Sequence, residues 1–388
     1  MSFKPLFARS LGAAPERLHF AAHSHHLWPD ASYEGQVECW EDAAAQADHK
    51  WDKVMDQVWP EAQANVAREL GSGDPSAIVF ASNTHDLLIR LAAACPRNGG
   101  SALRVLTSDG EFHSARRQLA RWTETGDIEL IKVAAEPFDD FSERFLAEAE
   151  AGGHDLILVS QLLFNSGWLF DRVADLAALA RPDGPWVVID SYHAFMAIEA
   201  PVTPAITSSA FILGGGYKYA MAGEGMGFMY CPPGYGERPP ITGWFAEFGD
   251  LTAPPGSSVG YTKDAMRFMG ATFDPSALYR FNAIQRAFKE NGLTTARIAA
   301  WVANLQAQFV SAVAGCAVGD AELLNPLGGG PHARFLAYRD ARAQRWCEEL
   351  NARQIVTDVR GDVLRIGFGL YQDEEDVDRL VAAVRGLG

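Results

Sequence analysis

From Ala77 onward the chain alternates between short unbroken apolar runs and longer stretches in which apolar residues recur at helical spacing. Runs such as AIVFA (77–81), HDLILVS (154–160) and WVVID (186–190) read as strands buried on both faces, because nothing in them alternates between apolar and polar. The stretches between them, among them SNTHDLLIRLAAA (82–94) and DRVADLAALARPDG (171–184), carry the helical period, and turns rich in Asn, Ser, Gly and Pro separate the two kinds. Strand, turn, helix and strand in repetition predict an α/β domain with a mostly parallel sheet covered on both faces. Before it, 31–70 is helical in spacing, with Trp40, Trp51, Met55 and Trp59 at intervals and Pro60 in the first turn of a second helix. This tryptophan-rich stripe fits core and subunit interface equally well. After it, 232–261 is dense in Pro and Gly and reads as a connection, and helical patterns over 278–290 and 294–313 lead into a smaller domain of alternating strands and helices.

Two of the apolar runs end in charge. WVVIDSYH (186–193) closes its strand on Asp190, and AFILGGGYKYAMAGEGMGF (210–228) carries the lone Lys218 in a glycine-rich turn. Separated by one crossover, the two can sit at neighbouring strand ends of a parallel sheet, where open α/β sheets place their ligands. A buried carboxylate and a buried amine are costly unless something uses them. An amine able to bond a carbonyl, beside a carboxylate able to face a protonated pyridine nitrogen, is the pairing that pyridoxal phosphate requires. Arg365 stands in a third apolar run, LRIGFGLY (364–371), where a guanidinium needs an anion or an edge position. Other residues have an ordinary reading as well. SNTHD (82–86) fits a plain N-cap at Ser82 or Asn83 and equally an anion-holding helix N-terminus. Phe112 in GEFHS fits core, and His193 fits a packed turn. LHFAAHSHHLWPD (18–30) fits a surface loop with chance histidines; as a metal site, His23, His25 and His26 lack carboxylate or cysteine partners nearby.

Composition narrows the function classes. With 388 residues the chain can bury a large core and hold two domains, and 48% hydrophobic with 21% charged residues fits a soluble globular protein. A balance of 33 basic to 49 acidic residues, net −16, argues against nucleic acid or an anionic membrane as the main partner. No apolar run has the length of a membrane span, and the first residues lack a signal peptide's apolar core. Five scattered cysteines without a CxxC pair point to a reducing cytoplasm.

On these residues the chain resembles fold-type I pyridoxal-phosphate enzymes of the class V aminotransferase group, and within it the kynureninase-like branch, from about Leu18 to the C-terminus. The resemblance implies a large domain with a mostly parallel, about seven-stranded sheet between helices, and a smaller α+β C-terminal domain. Residues 1–50 would form an N-terminal segment contributing to the pocket and the small domain, 51–260 the cofactor-binding domain and 261–388 the small domain. It implies pyridoxal 5′-phosphate coupled to Lys218, with Asp190 at the pyridine nitrogen, Phe112 stacked on the ring, and Asn83 and Thr84 at the phosphate. His193 would lie near the ring or its 3-oxygen, and Tyr217, of the Tyr-Lys pair, near the phosphate with a part in proton transfer. Trp244 in GWFAEF resembles an element close to the phosphate. Thr272, in the turn starting at Gly270, resembles the segment that reaches the phosphate of the opposite subunit, which implies a homodimer with shared sites. Arg365 would hold the substrate α-carboxylate. The family's asparagine, serine, leucine and glycine in the N-terminal pocket segment are absent; His25 and His26 stand there instead and become candidates for substrate contact.

Three outcomes compete once the α-proton of an amino acid is removed. A desulfurase needs a cysteine on a mobile loop just ahead of Arg365, but 354–364 contains none and Cys347 falls on the preceding helix. Kynureninase-like hydrolysis between Cβ and Cγ fits Tyr217, the GWF element and the short link before LRIGFGLY best. An aminotransferase or another lyase of the group is the alternative. A binding protein that had kept the fold and lost activity would leave Lys218, Asp190 and Arg365 as costly buried charges without a task.

Overall fold

The computed structural model describes residues 2–250, 258–328 and 330–388. The chain enters through a short strand, β1 (Leu18–His19). It then builds a seven-stranded sheet from β2 (Ile78–Ala81), β3 (Leu103–Ser108), β4 (Ile128–Val133), β5 (Leu156–Ser160), β6 (Trp186–Asp190), β7 (Ala210–Gly215) and β8 (Gly227–Tyr230). The spatial order is β2-β8-β7-β6-β5-β3-β4. β3 to β7 are parallel and β8 runs antiparallel to both of its neighbours. The unbroken apolar runs account for this layer: β5 and β7 are buried throughout and β6 as far as Asp190, as a sheet covered on both faces requires. Register sets Ser160, Asp190 and Leu213 side by side, so β5, β6 and β7 end at one level.

The helical stretch 31–70 divides into Asp30–Gln46 and Trp59–Leu70, joined by shorter turns. Its tryptophans separate in the same way. Trp59 is 3% exposed and packs edge-on to Phe80 of the sheet, whereas Trp40 is 70% exposed. Helix Ser276–Glu290 lies across Asp30–Gln46 closely enough that Gly35 has no room for a side chain: a Cβ there would stand 2.7 Å from the Tyr279 carbonyl oxygen.

Leu278, Phe281, Ile284 and Phe288 of the helix Ser276–Glu290 join the core of the seven-stranded sheet, and the helix Thr295–Ala312 adds Ile298 to that core and Val302, Leu305 and Phe309 to a second one. There β9 (Glu322–Leu323), β10 (Phe335–Arg339), β12 (Asp358–Arg360) and β13 (Val363–Gly367) form an antiparallel sheet in the order β12-β13-β10-β9. Helices Thr295–Ala312, Ala343–Ala352 and Glu374–Val384 bury Phe309, Trp346 and Leu380 with its Leu336, Leu364 and Ile366. β11 (Ile355–Val356) pairs in parallel with β1, which fastens the N-terminal segment to the small domain. The connection expected over 232–261 includes 251–257, which lie outside the described residues. Among the described residues no helix is long and apolar enough to cross a membrane.

Candidate active site

The carboxyl ends of the central strands carry the chemistry. Asp190 closes β6, where its carboxylate accepts a hydrogen bond from the Tyr192 amide at 2.9 Å, and burial raises its pKa. Beside it Ser160 closes β5 and donates from Oγ to Glu111 at 2.5 Å, while Ser108 at the end of β3 donates to the same carboxylate at 2.6 Å. Burial drives the Glu111 pKa up to about 7; its serine partners oppose the shift and Asp190 adds to it.

Lys218 follows β7 in a turn that needs glycine, since a Cβ on Gly215 would lie 2.5 Å from the Tyr192 ring. The Lys218 amine is hydrogen-bonded to His193 Nε2, and it stands 5.6 Å from the centre of the Phe112 ring and 5.5 Å from that of Tyr192. Burial, reinforced by the Arg365 guanidinium, lowers the Lys218 pKa to about 7. Burial and then Lys218 hold His193 far below the usual imidazole range. Near pH 7 the chain therefore presents an amine with a substantial neutral fraction against a neutral imidazole.

One cavity of about 1180 Å³ joins these groups. Asn83, Thr84, Phe112, Asp190, His193, Tyr217, Lys218 and Arg365 all line it. Asn83 caps the helix Thr84–Ala94, accepting from the Asp86 amide at 2.9 Å. β8 can pass beneath this helix start because residue 227 is glycine; a Cβ there would be 2.4 Å from the Asn83 carbonyl carbon. Phe112, 41% exposed and just ahead of the helix His113–Thr125, offers its ring to the cavity and meets Phe164 edge-on.

Arg365 is 3% exposed on β13 and already engaged. It forms an ion pair with Asp358, directly opposite on β12, and donates to the Phe164 carbonyl oxygen at 2.6 Å. Asp358 is shared with Arg360 at 2.8 Å, and His23 Nε2 lies 3.7 Å from its other oxygen. Burial works against ionisation of Asp358, but His23 and Arg365 outweigh it and hold the carboxyl well below its usual range.

Four expected residues stand elsewhere. His25 reaches the cavity only through Tyr217, whose hydroxyl is 3.0 Å from His25 Nδ1. His26 is wholly buried, bonded to the Leu27 carbonyl at 2.7 Å and packed against Tyr371, because the chain turns inward at Leu27; the ring in the cavity lining is that of His23. Trp244 packs on Phe245, and Thr272 is exposed; neither lines the cavity of a single chain. Gly243 and Gly270 lie back to back, which keeps these two elements together, and the Phe245 amide donates to the Gly270 carbonyl at 3.3 Å.

Comparison with known proteins places this geometry. Residues 298–384 match the Kynureninase C-terminal domain. Isopenicillin N epimerase from Streptomyces clavuligerus is 26% identical over 219 residues, 55% of this chain and 53% of the epimerase, so the chain spans about half the length of that relative. The whole fold is similar to a cystine C-S lyase solved with cysteine persulfide (TM-score 0.80, 16% identity, 98% of this chain and 100% of that one). It is also similar to a cysteine desulfurase from Thermococcus onnurineus NA1 (TM-score 0.79, 17% identity, 100% of both chains). The chain has the fold-type I architecture of pyridoxal-phosphate enzymes, and its residues 298–384 match a kynureninase domain.

The residues present fit pyridoxal phosphate. Lys218 is the amine its aldehyde would bond, with a pKa lowered to about 7, Asp190 the buried carboxylate for its ring nitrogen, and Phe112 an exposed aromatic face for its ring. His193 Nδ1, buried without a hydrogen-bond partner, points to a polar group still to be met in the cavity. Asp358, Glu111 and the Phe164 carbonyl escaped the sequence reading. For Asp358 a signal existed: Arg360-Gly361-Asp362-Val363 fits a two-residue hairpin turn, with Gly361 at φ 60°, and that register sets Asp358 across from Arg365. Glu111 and Phe164 meet the site through tertiary contacts alone.

Proposed function

We propose that the protein is a pyridoxal-phosphate-dependent enzyme that removes the α-proton of an amino acid and completes the reaction as a lyase or an aminotransferase. The observation that carries this reading is Lys218, a lysine amine whose pKa burial lowers to about 7, touching His193 in a cavity shared with Asp190 and Arg365. When bound, pyridoxal phosphate supplies a protonated ring that delocalises the electron pair left at Cα. The protein's part is to hold and move protons. Asp190 would keep the ring nitrogen protonated, and its burial strengthens that contact. Lys218, whose pKa suits proton transfer at neutral pH, would take the proton from Cα. Arg365 would fix the α-carboxylate, and Tyr217, tied to His25, would hold or pass a proton at the cavity wall.

Desulfuration through an enzyme-bound persulfide needs a cysteine thiol at the cavity, and none is found there among the described residues. Cys347 is buried on the helix Ala343–Ala352 with its sulfur toward the Thr357 carbonyl oxygen. Elimination of a β-substituent needs no thiol, only the α-proton removed and a leaving group expelled, and epimerisation starts from the same proton. A second reading is favoured by the match of 298–384 to the Kynureninase C-terminal domain: hydrolysis between Cβ and Cγ of a kynurenine-like amino acid. Two chains would share the sites, with Thr272 serving the neighbour's cofactor phosphate and Trp244 a contact near the phosphate.

Borohydride reduction of the holoenzyme and peptide mass spectrometry test the core of this proposal. The pyridoxyl adduct is expected on Lys218, and an adduct on another lysine overturns it. Product analysis then separates the branches. A 2-oxo acid with the amine form of the cofactor marks an aminotransferase, pyruvate and ammonia from a β-substituted alanine mark a lyase, and alanine with an aromatic acid marks the hydrolase.

A further inference from the structure

The cavity around Lys218 is basic in a chain that is acidic overall. Beyond Lys218 and Arg365 its wall carries Arg116, Arg117, Arg121, Lys132 and Arg360 against one further acid, Glu124, although the whole chain has a net charge of −16. Arg121 is neutralised by Glu124 at 3.0 Å, and Arg360 shares Asp358 with Arg365. Arg116, Arg117 and Lys132 have no side-chain hydrogen bond or ion pair among the described residues. Like charges gathered without partners repel one another, so their convergence on one opening favours an anion there.

The geometry gives that anion a place. His113, Arg117, Arg121 and Glu124 recur at helical spacing, so the helix His113–Thr125 turns one stripe toward the cavity, starting beside Phe112 and Lys218. At 1.5 Å per residue the stripe runs about 13 Å from Phe112 to Arg121. Arg116 and Arg360 line the same cavity as Arg365, and Arg360 shares Asp358 with it.

We infer that the amino-acid substrate carries a second anionic group at the end of its side chain, held by Arg116 and Arg117 with Arg360 across the domain boundary. This rests on the pyridoxal-phosphate reading and adds the substrate class to it. Arg116 and Arg117 act as specificity-determining residues: they select the side-chain terminus, while Arg365 selects the α-carboxylate. The cofactor phosphate would be held by Asn83 and Thr84, which open the neighbouring helix Thr84–Ala94; His85 of that helix lies 3.1 Å from Gln118, beside Arg117.

The test is calorimetric binding to borohydride-verified holoenzyme and to the double variant Arg116→Gln, Arg117→Gln. The ligands are 2-aminoadipate, homocysteate and O-phosphohomoserine, against norleucine and homoglutamine as neutral isosteres. The wild type is expected to bind at least one acidic ligand about tenfold or more tighter than the neutral pair, as two charge contacts at a partly exposed site allow. The double variant is expected to lose that preference, as is the wild type in 0.5 M salt, while both keep their cofactor affinity. The three acids show whether a carboxylate, sulfonate or phosphate is the fitting terminus. An adduct on Lys218 with no acid preference, or with a preference that survives in the double variant, overturns the inference and leaves the cofactor reading intact. A variant that instead loses affinity for pyridoxal phosphate, with no acid preference in the wild type, overturns it in favour of a phosphate role for the arginines. Absence of the Lys218 adduct removes both.

Discussion

Asp358 and Arg365 face each other across β12 and β13, and their ion pair sets a carboxylate of the chain itself on the guanidinium assigned to the substrate. The other terminal nitrogen of Arg365 is held by the Phe164 carbonyl. An incoming α-carboxylate must therefore compete with Asp358, which can remain on Arg360 when it yields. Asp358→Asn is expected to tighten amino-acid binding severalfold and to cost about 1–3 kcal/mol of folding stability, because a charge-assisted bond to a buried guanidinium is weakened. Titration calorimetry and denaturant unfolding read the two effects. Weaker binding would mean that Asp358 orients Arg365 instead of competing for it. Arg365→Lys should raise KM strongly, since a point charge cannot reproduce a two-pronged contact.

Lys218 makes the cofactor-free protein sensitive to pH. Its pKa falls from 10.5 in the unfolded chain to about 7 in the folded one, so the unfolded state binds more protons between those values and stability rises with pH across that window. The destabilisation is complete below about pH 7 and gone above about 10.5. Cofactor-free Lys218→Met should be more stable than the wild type at pH 6, with the difference shrinking toward pH 10. Equal denaturation midpoints at pH 6 would show that the amine is not buried as a charge.

Glu111 works in the opposite sense. Its folded pKa is raised from 4.5 to about 7, so its contribution is fully present below about pH 4.5 and lost as pH rises through 7. Glu111→Gln keeps the shape and removes the titration. Its stability profile is expected to be flatter than the wild type's between pH 4.5 and 7, and two superimposable profiles would count against the assignment.

Asp190→Ala should leave pyridoxal phosphate bound, through Lys218 and the phosphate end, yet slow exchange of the substrate Cα hydrogen with D₂O by about 100-fold or more. A carboxylate on the ring nitrogen stabilises the developing carbanion far more than the resting state, so the loss falls on kcat. An exchange rate within a few-fold of the wild type would assign Asp190 a structural part only.

A shared site makes inactive subunits complementary. Mixing Lys218→Ala with Thr272→Ala chains is expected to restore up to about a quarter of wild-type activity, because a hybrid dimer retains one site with both residues intact and random exchange makes half the dimers hybrid. Verified exchange with no recovery, despite a severe Thr272 defect, would place the whole site in one chain.

Most of the cofactor pocket was legible along the chain because its residues are bound to local signals. Asp190 and Lys218 end or follow unbroken apolar runs, Phe112 and Asn83 stand at helix starts after strands, and a parallel sheet buried on both faces must bring such strand ends together. Arg365 was visible as the one charge inside an apolar strand. Its state was not: that it is paired with Asp358 and the Phe164 carbonyl depends on hairpin register and on the docking of two domains. That the helix Ser276–Glu290 packs into the core of the seven-stranded sheet was hidden for a related reason, since helical spacing says that a face is apolar but not which core receives it. The histidines show the limit most plainly. His23, His25 and His26 are alike as sequence, but the fold turns His23 into the cavity, sets His25 behind Tyr217 and seals His26 against Tyr371. Sequence alone determined the strands, the helices and the charged residues worth the cost of burial. Tertiary structure alone decided which of those side chains share one cavity and what each touches, because such contacts join residues as far apart in the chain as His23 and Asp358 and leave no trace in local pattern.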